Sequence, residues 1–503
     1  MMQCVHSAGI AGVEGYLVTV ECDLAGGLPG FEVVGLPGAA VKESRERVRA
    51  AAKNSRFEFP VAKVIINLAP ADIRKEGPVY DLPILMGILA AHGQIPALPE
   101  DCVFIGELSL SGALRPVAGV LSMALAARDA GKKRLFLPAE NAEEAALAGE
   151  ELEIYPAETV TQITQHFSGC PIPRFCGQAE MAPPEDGLDF CHVMGQQNVK
   201  RALEIAAAGG HNVLMSGSPG SGKSMMAKRI GTILPPMTQE ERMEVIRVYS
   251  SVGQGAEAVR MAGRPVRAPH HTISAVGMAG GGTGIPQPGE LSLATNGVLF
   301  LDELPEFSKE ALEVLRQPME DGTVSIVRAA ARVSYPARFM LICAMNPCKC
   351  GWYGHPSGRC RCTEAEVRRY HARISGPLLD RIDIQLHVLP VPFQELSNRA
   401  PAERSADIRA RVVRARELQR VRYRGSGTTC NAYMTPEQLA EFCVLDEAGQ
   451  TLLKRAFEKL GMTARSYDRV LRLARTIADL EGAERIAPAH LAEAVQYRFR
   501  TEI

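Results

Sequence analysis

Apolar and polar residues alternate over 15–24 (GYLVTVECDL), 31–36 (FEVVGL) and 62–70 (AKVIINLAP), which predicts strands with one buried face. Around them, apolar residues recur at helical spacing over 41–55, 81–93 and 120–131. Residues 1–168 therefore read as an α/β or α+β domain. The periodicity stops over 169–189, where four prolines and three glycines predict a linker between domains. Residues 190–395 alternate near-continuous apolar strands with helices, the pattern of an α/β core around a parallel sheet. Residues 396–503 read as mostly helical, most clearly over 448–461, 466–482 and 487–500. No fixed-period repeat is present.

Composition adds limits to this picture. A chain of 503 residues is too long for one ordinary core. Its 46% apolar and 22% charged residues are usual for a soluble globular protein. No apolar run is long enough to predict a transmembrane helix. The stretch MMQCVHSAGIAGVEGY lacks the basic-then-apolar order of a secretory signal, so a cytoplasmic protein without membrane contact is expected. The net charge of −1 offers no global basic field, so any nucleic-acid binding has to come from local patches.

The chemistry concentrates in 190–395. After the apolar NVLMS comes Gly217-Ser218-Pro219-Gly220-Ser221-Gly222-Lys223-Ser224, and a helical pattern follows. Glycines let such a loop turn its N–H groups toward phosphate oxygens, and the helix N-terminus adds its dipole. Lys223 supplies a charge to the outer phosphates and Ser224 a magnesium ligand, so ATP and magnesium are the expected ligands. The apolar strand GVLFL ends in Asp302-Glu303. Asp302 is placed to hold hydrated magnesium and Glu303 to orient and deprotonate the attacking water. The next strand ends in Asn346, an amide able to orient water or touch the γ-phosphate. In ISGPLLDRIDIQLHVLP, Arg381 reads either as a salt-bridge partner of Asp380 or Asp383, or as an arginine finger for a neighbouring subunit.

Thirteen cysteines are present, mostly scattered singly, as expected of reduced thiols. Four are dense: Cys348 and Cys350, then Cys360 and Cys362, two C-x-C pairs directly after Asn346. Four thiolates satisfy a structural zinc ion, with His355 as an alternative ligand. The other reading is four reduced thiols.

The stretches RAPHHTISAVGMAGGGTGIPQPGELSLATNGVLFLDELPEF and GPLLDRIDIQLHV, together with the phosphate loop, resemble the magnesium-chelatase-like AAA+ ATPases of the ComM/YifB family. The resemblance extends over almost the whole chain. It implies a Lon-protease-like N-terminal domain, an AAA+ core and a helical C-terminal lid. It also implies a hexameric ring that acts on single-stranded or branched DNA. Members of the ComM type are similar to branch-migration helicases of natural transformation, with recombination proteins as partners. By the same resemblance Lys223, Asp302, Glu303 and Asn346 fall on the nucleotide loop, the Walker B pair and sensor 1, and Arg381 on the finger. Arg465 falls on sensor 2, with Arg469 as its rival.

The resemblance implies no proteolysis. Val79 stands where a Lon-type serine would be and Leu121 where its lysine would be, and neither side chain carries a nucleophile or a base. For DNA, two stretches are candidates. One is RPVRAPHHTISAVGMAGGGTG, with Arg264, Arg267, His270 and His271 ahead of a flexible tip at Gly280–Gly282. The other is 399–424, with nine arginines against three acids, which reads equally as a solvated helix face.

Overall fold

The computed structural model describes residues 2–177, 187–282, 284–328, 332–391 and 402–498. The middle of the predicted linker (178–186) and the junction expected near 395 fall outside them. So does Arg399.

The N-terminal strands are β1 (Gln3–Ala11), β2 (Glu14–Ala25), β3 (Gly30–Val34), β4 (Lys63–Ala69), β5 (Cys102–Phe104), β6 (Arg134–Pro138) and β7 (Glu153–Ala157). They form one sheet in the order β3-β4-β2-β1-β5-β6-β7. The pairs β1–β2 and β2–β4 are antiparallel and the others parallel. The three strands predicted from alternation are β2, β3 and β4. β1 was not predicted: Ser7 and Gly9 interrupt its apolar pattern, and it sits mid-sheet. The predicted helices form as α1 (Ala39–Asn54), α2 (Asp81–Ala91) and α3 (Val120–Asp129). α2 is buried from Asp81 to Ala90, so it has no polar face to show water. The one carboxylate in it, Asp81, is held by Arg47 at 2.6 Å. Val79 and Leu121 are both core residues.

The second sheet contains β8 (Val213–Gly217), β9 (Val266–Arg267), β10 (Val298–Leu301), β11 (Met340–Met345) and β12 (Ile384–Val388). Its order is β9-β10-β11-β8-β12 and every pairing is parallel. The central strands β10 and β11 are buried along their whole length, which explains their unbroken apolar runs. Helix α4 (Gln197–Gly209) packs with the C-terminal helices α7 (Ser405–Arg422), α8 (Glu447–Leu460), α9 (Ala464–Leu480) and α10 (Pro488–Gln496) around one shared apolar cluster.

The two sheets are joined by more than a linker. Helix α6 (Gln239–Ser251), which follows α5 (Lys223–Arg229), contributes Val245, Ile246 and Tyr249 to the N-terminal core. The buried Glu144 carboxylate accepts from the Leu121 N–H at 2.8 Å and from the Ser250 hydroxyl. Gly119 N–H donates to the Ser250 carbonyl at 2.8 Å. Among the described residues no helix is long and apolar enough to cross a membrane.

Candidate nucleotide site and cysteine cluster

A parallel sheet delivers the C-terminal ends of its strands to one edge. The register aligns Gly217 of β8 with Val388 of β12, Ser216 with Met345 of β11, and Leu301 of β10 with Cys343. The nucleotide loop, Asp302-Glu303 and Asn346 therefore meet, as the sequence predicts. Lys223 Nζ donates to the carbonyls of Gly217 at 2.6 Å and Ser218 at 3.0 Å, and lies 3.4 Å from Asn346 Oδ1. Burial pushes this ammonium below its ordinary value, with Asp302 opposing. The Ser224 hydroxyl donates to Asp302 Oδ2 at 2.6 Å. One hydroxyl and one carboxylate oxygen thus face a common point, the donor set magnesium takes alongside phosphate. Glycine is required where the loop enters α5: Gly222 has φ +90.

Glu303 follows in a left-handed conformation, φ +53, and stays half exposed. His271 Nδ1 lies 3.6 Å from its Oε2. Sequence reading took the paired histidines as DNA contacts; their place just beyond β9, beside β10, was the missed signal. Arg264 and Arg267 are not free for phosphate tracking. Arg264 is engaged by Glu241 at 2.6 Å and by three carbonyls, and Arg267 grips Glu290 with two bonds of 2.7 Å. The expected flexible tip is likewise tied down. Gly280–Gly281 pair with Gln287–Pro288, and Ile285 N–H donates to Glu76 of the N-terminal part at 3.1 Å.

Arg381 lies elsewhere. It precedes β12 by three residues, beside the start of β8, where Asn212 Nδ2 donates to its carbonyl at 3.0 Å. Four strand residues, about 13 Å, separate that edge from the nucleotide loop. Its guanidinium is buried on Glu320, with a second bond to the Pro377 carbonyl at 2.7 Å. Its ion pair is thus with Glu320, while Asp383 is engaged by His211 and Arg469. Arg465, mostly exposed, reaches the same Glu320 at 4.0 Å. Arg469 lies one turn further along α9, largely shielded, 3.6 Å from Asp383.

The four cysteines come together. Sγ–Sγ separations are 3.2 Å (Cys348–Cys350), 3.6 Å (Cys350–Cys360) and 3.9 Å (Cys348–Cys360), and all four sulfurs lie within 4.8 Å of one another. A tetrahedron of sulfurs around an ion with bonds near 2.3 Å has edges of about 3.8 Å, so the group fits a metal ion. Burial works against the Cys350 thiolate, yet the N–H groups of Arg361 and Trp352 and the neighbouring thiols bring it down to about 6. His355 does not join the sulfurs; its Nδ1 bonds the Ser357 hydroxyl at 2.7 Å. The cluster also touches the nucleotide loop. Gly351 has φ +84, and a Cβ there would stand 2.7 Å from Cγ and Cδ of Pro219. C-x-C spacing locates the cysteines but says nothing of this contact.

Of the arginine-rich stretch, Arg411 bridges Glu403 and Glu204, Arg420 pairs with Glu417 at 2.9 Å and Arg422 with Asp479 at 2.6 Å. Arg409, Arg414 and Arg424 remain at the surface.

Three family models match the chain: "Subunit ChlI of Mg-chelatase" over 20–141, "Magnesium chelatase, subunit ChlI" over 189–396 and "Magnesium chelatase, subunit ChlI C-terminal" over 402–498. The chain is 43% identical over 501 residues to competence protein ComM of Haemophilus influenzae, covering 98% of this chain and 97% of that protein. It is 43% identical to the protein YifB of Salmonella typhimurium, covering 98% and 96%. A more distant similarity, 22% over 331 residues, reaches the DNA replication licensing factor Mcm6 of Drosophila melanogaster, covering 61% of this chain and 36% of that one.

Proposed function

This chain belongs to the ComM/YifB family of magnesium-chelatase-like AAA+ ATPases, and from that membership we propose a ring-forming, ATP-driven motor that moves branched or single-stranded DNA during homologous recombination and natural transformation. The observation that carries the DNA reading is the match to a competence protein over 98% of the chain. We assign residues 1–168 to a non-proteolytic Lon-protease-like domain, 190–395 to the ATPase core and 396–503 to a helical lid, working in the cytoplasm as a hexamer. In this reading the N–H groups of 217–224 cradle the phosphates. Lys223 turns from the Gly217 carbonyl to the γ-phosphate. Ser224 and Asp302 would hold magnesium, which neutralises charge on the phosphates. Glu303 takes the proton of the attacking water, and Asn346 orients that water.

The experiment is ATP turnover with and without single- and double-stranded DNA, coupled to fluorescent junction migration. DNA-stimulated, salt-sensitive turnover and junction movement are expected. Absence of both would leave the second reading, a chelatase-type or protein-remodelling ATPase without DNA translocation, which the names of the three family models favour.

We further assign zinc to the cysteine cluster, as a closed structural site. Purified protein is expected to carry about one zinc per chain. Cys360→Ser with Cys362→Ser should release it. Because Gly351 packs on Pro219, ATP affinity should fall with the metal. Metal-free protein with unchanged ATP affinity would reject the assignment. Binding on the order of 10 kcal/mol is enough to order a loop with almost no apolar core.

A further inference from the structure

At the edge of the second sheet opposite the nucleotide loop is a cavity of ≈ 40 Å³. It opens where Gly210 precedes β8, Gly297 precedes β10 and Met340 begins β11. Three arginines line it, Arg264, Arg338 and Arg416, with Thr429 and Tyr433 beside them and Glu241 as the one carboxylate.

The charges do not balance. Glu241 is occupied by Arg264 at 2.6 Å and by the Thr238 N–H at 2.9 Å. The remaining Arg264 donors go to the carbonyls of Pro235, Asn296 and Pro236. Of the nearby acids, Glu244 accepts from the lining Asn296 at 2.6 Å, and Asp383 is engaged by His211 and Arg469. Among the described residues Arg416 has two long bonds to carbonyls, 3.2 Å to Thr429 and 3.4 Å to Ala207, and its buried Nε has no partner. Arg338 is exposed at the rim. Among the described residues neither Arg338 nor Arg416 forms an ion pair with a carboxylate. An orphaned buried guanidinium N–H beside two further cations is costly unless an anion completes it. Burial already disfavours the charge on Arg264, and the nearby Arg416 adds to that. The cavity has room for about three waters, the footprint of one tetrahedral oxyanion. Guanidinium forks match phosphate oxygens in geometry and charge.

We propose that this cleft is a second phosphate-binding site, separate from the nucleotide loop, in which Arg338 and Arg416 hold the anion, the Thr429 hydroxyl adds a neutral donor and the Tyr433 hydroxyl turns to it from its long 3.4 Å bond to the Phe339 carbonyl. The phosphate belongs either to a free nucleotide or to the backbone of a polynucleotide strand. The residues span 264 to 433 and share no motif, so only the fold assembles them.

The test is calorimetric titration of the full-length protein with inorganic phosphate. A saturable site should survive Lys223→Ala, which disables the nucleotide loop. It should weaken about tenfold in Arg338→Ala, the loss of one charge-assisted pair. Arg338 is at the surface, so the variant keeps its fold, and Arg338→Lys should recover part of the affinity. Competition then separates the sources: displacement by a short single-stranded oligonucleotide assigns the backbone, and displacement by mononucleotides alone assigns the free ligand. Loss of all phosphate binding in Lys223→Ala overturns the proposal, and so does binding indifferent to Arg338.

Discussion

Arg381→Ala is expected to lower ATP turnover by roughly 10³–10⁵ without weakening ATP binding to the isolated subunit. The reason is its place in the sheet. Arg381 sits at the starting ends of β8 and β12, whereas the nucleotide loop lies at their finishing ends. It cannot reach the phosphates of its own chain, so as the proposed finger it would serve a neighbour's. Glu320, half exposed, holds both Arg381 and Arg465 at that edge. A neighbour's nucleotide would compete with Glu320 for both guanidiniums. Glu320 can turn to water when Arg381 is removed, and the lost bond to the Pro377 carbonyl should cost only about 1–3 kcal/mol of stability. Mixing decides the matter. Arg381→Ala subunits combined with Lys223→Ala subunits should regain hydrolysis, since each supplies what the other lacks. Mixed rings as inactive as either parent would sink the reading.

Glu303→Gln is expected to cut hydrolysis by about 10²–10⁴ while ATP stays bound. The amide keeps the size and the hydrogen-bonding reach of the side chain but cannot take a proton. The left-handed backbone at Glu303 and the nearby His271 hold the carboxylate apart from Asp302, which is committed to Ser224. This separation fits the separate tasks proposed for the two carboxylates. Junction migration should disappear with hydrolysis. A Glu303→Gln protein that still moved junctions at the normal rate would show that hydrolysis does not drive the movement.

The legible part of this protein lay in short stretches. Eight residues from Gly217 to Ser224 specify a loop because glycines and a following helix dictate its backbone locally. Asp302-Glu303 and Asn346 were legible because each ends an apolar strand, and parallel strands end at one edge. The two C-x-C pairs were legible because metal ligands recur at short spacing. β1 was not, since a central strand containing Ser7 and Gly9 has no clean alternation. The roles of Arg264 and Arg267 were misread because charge along a chain does not reveal its partner. Glu241 lies 23 residues before Arg264, and Glu290 lies 23 residues after Arg267.

By itself the sequence determined the family, the phosphate-loop motif and a four-thiol cluster, because each depends on residues close together in the chain. Only the tertiary structure decided that Arg381 faces away from its own nucleotide loop. The same holds for Gly351 packing on Pro219 and for the meeting of Arg338 with Arg416 across the sheet edge. Those relations join residues tens to hundreds of positions apart. They follow from strand register and packing, which no local pattern encodes.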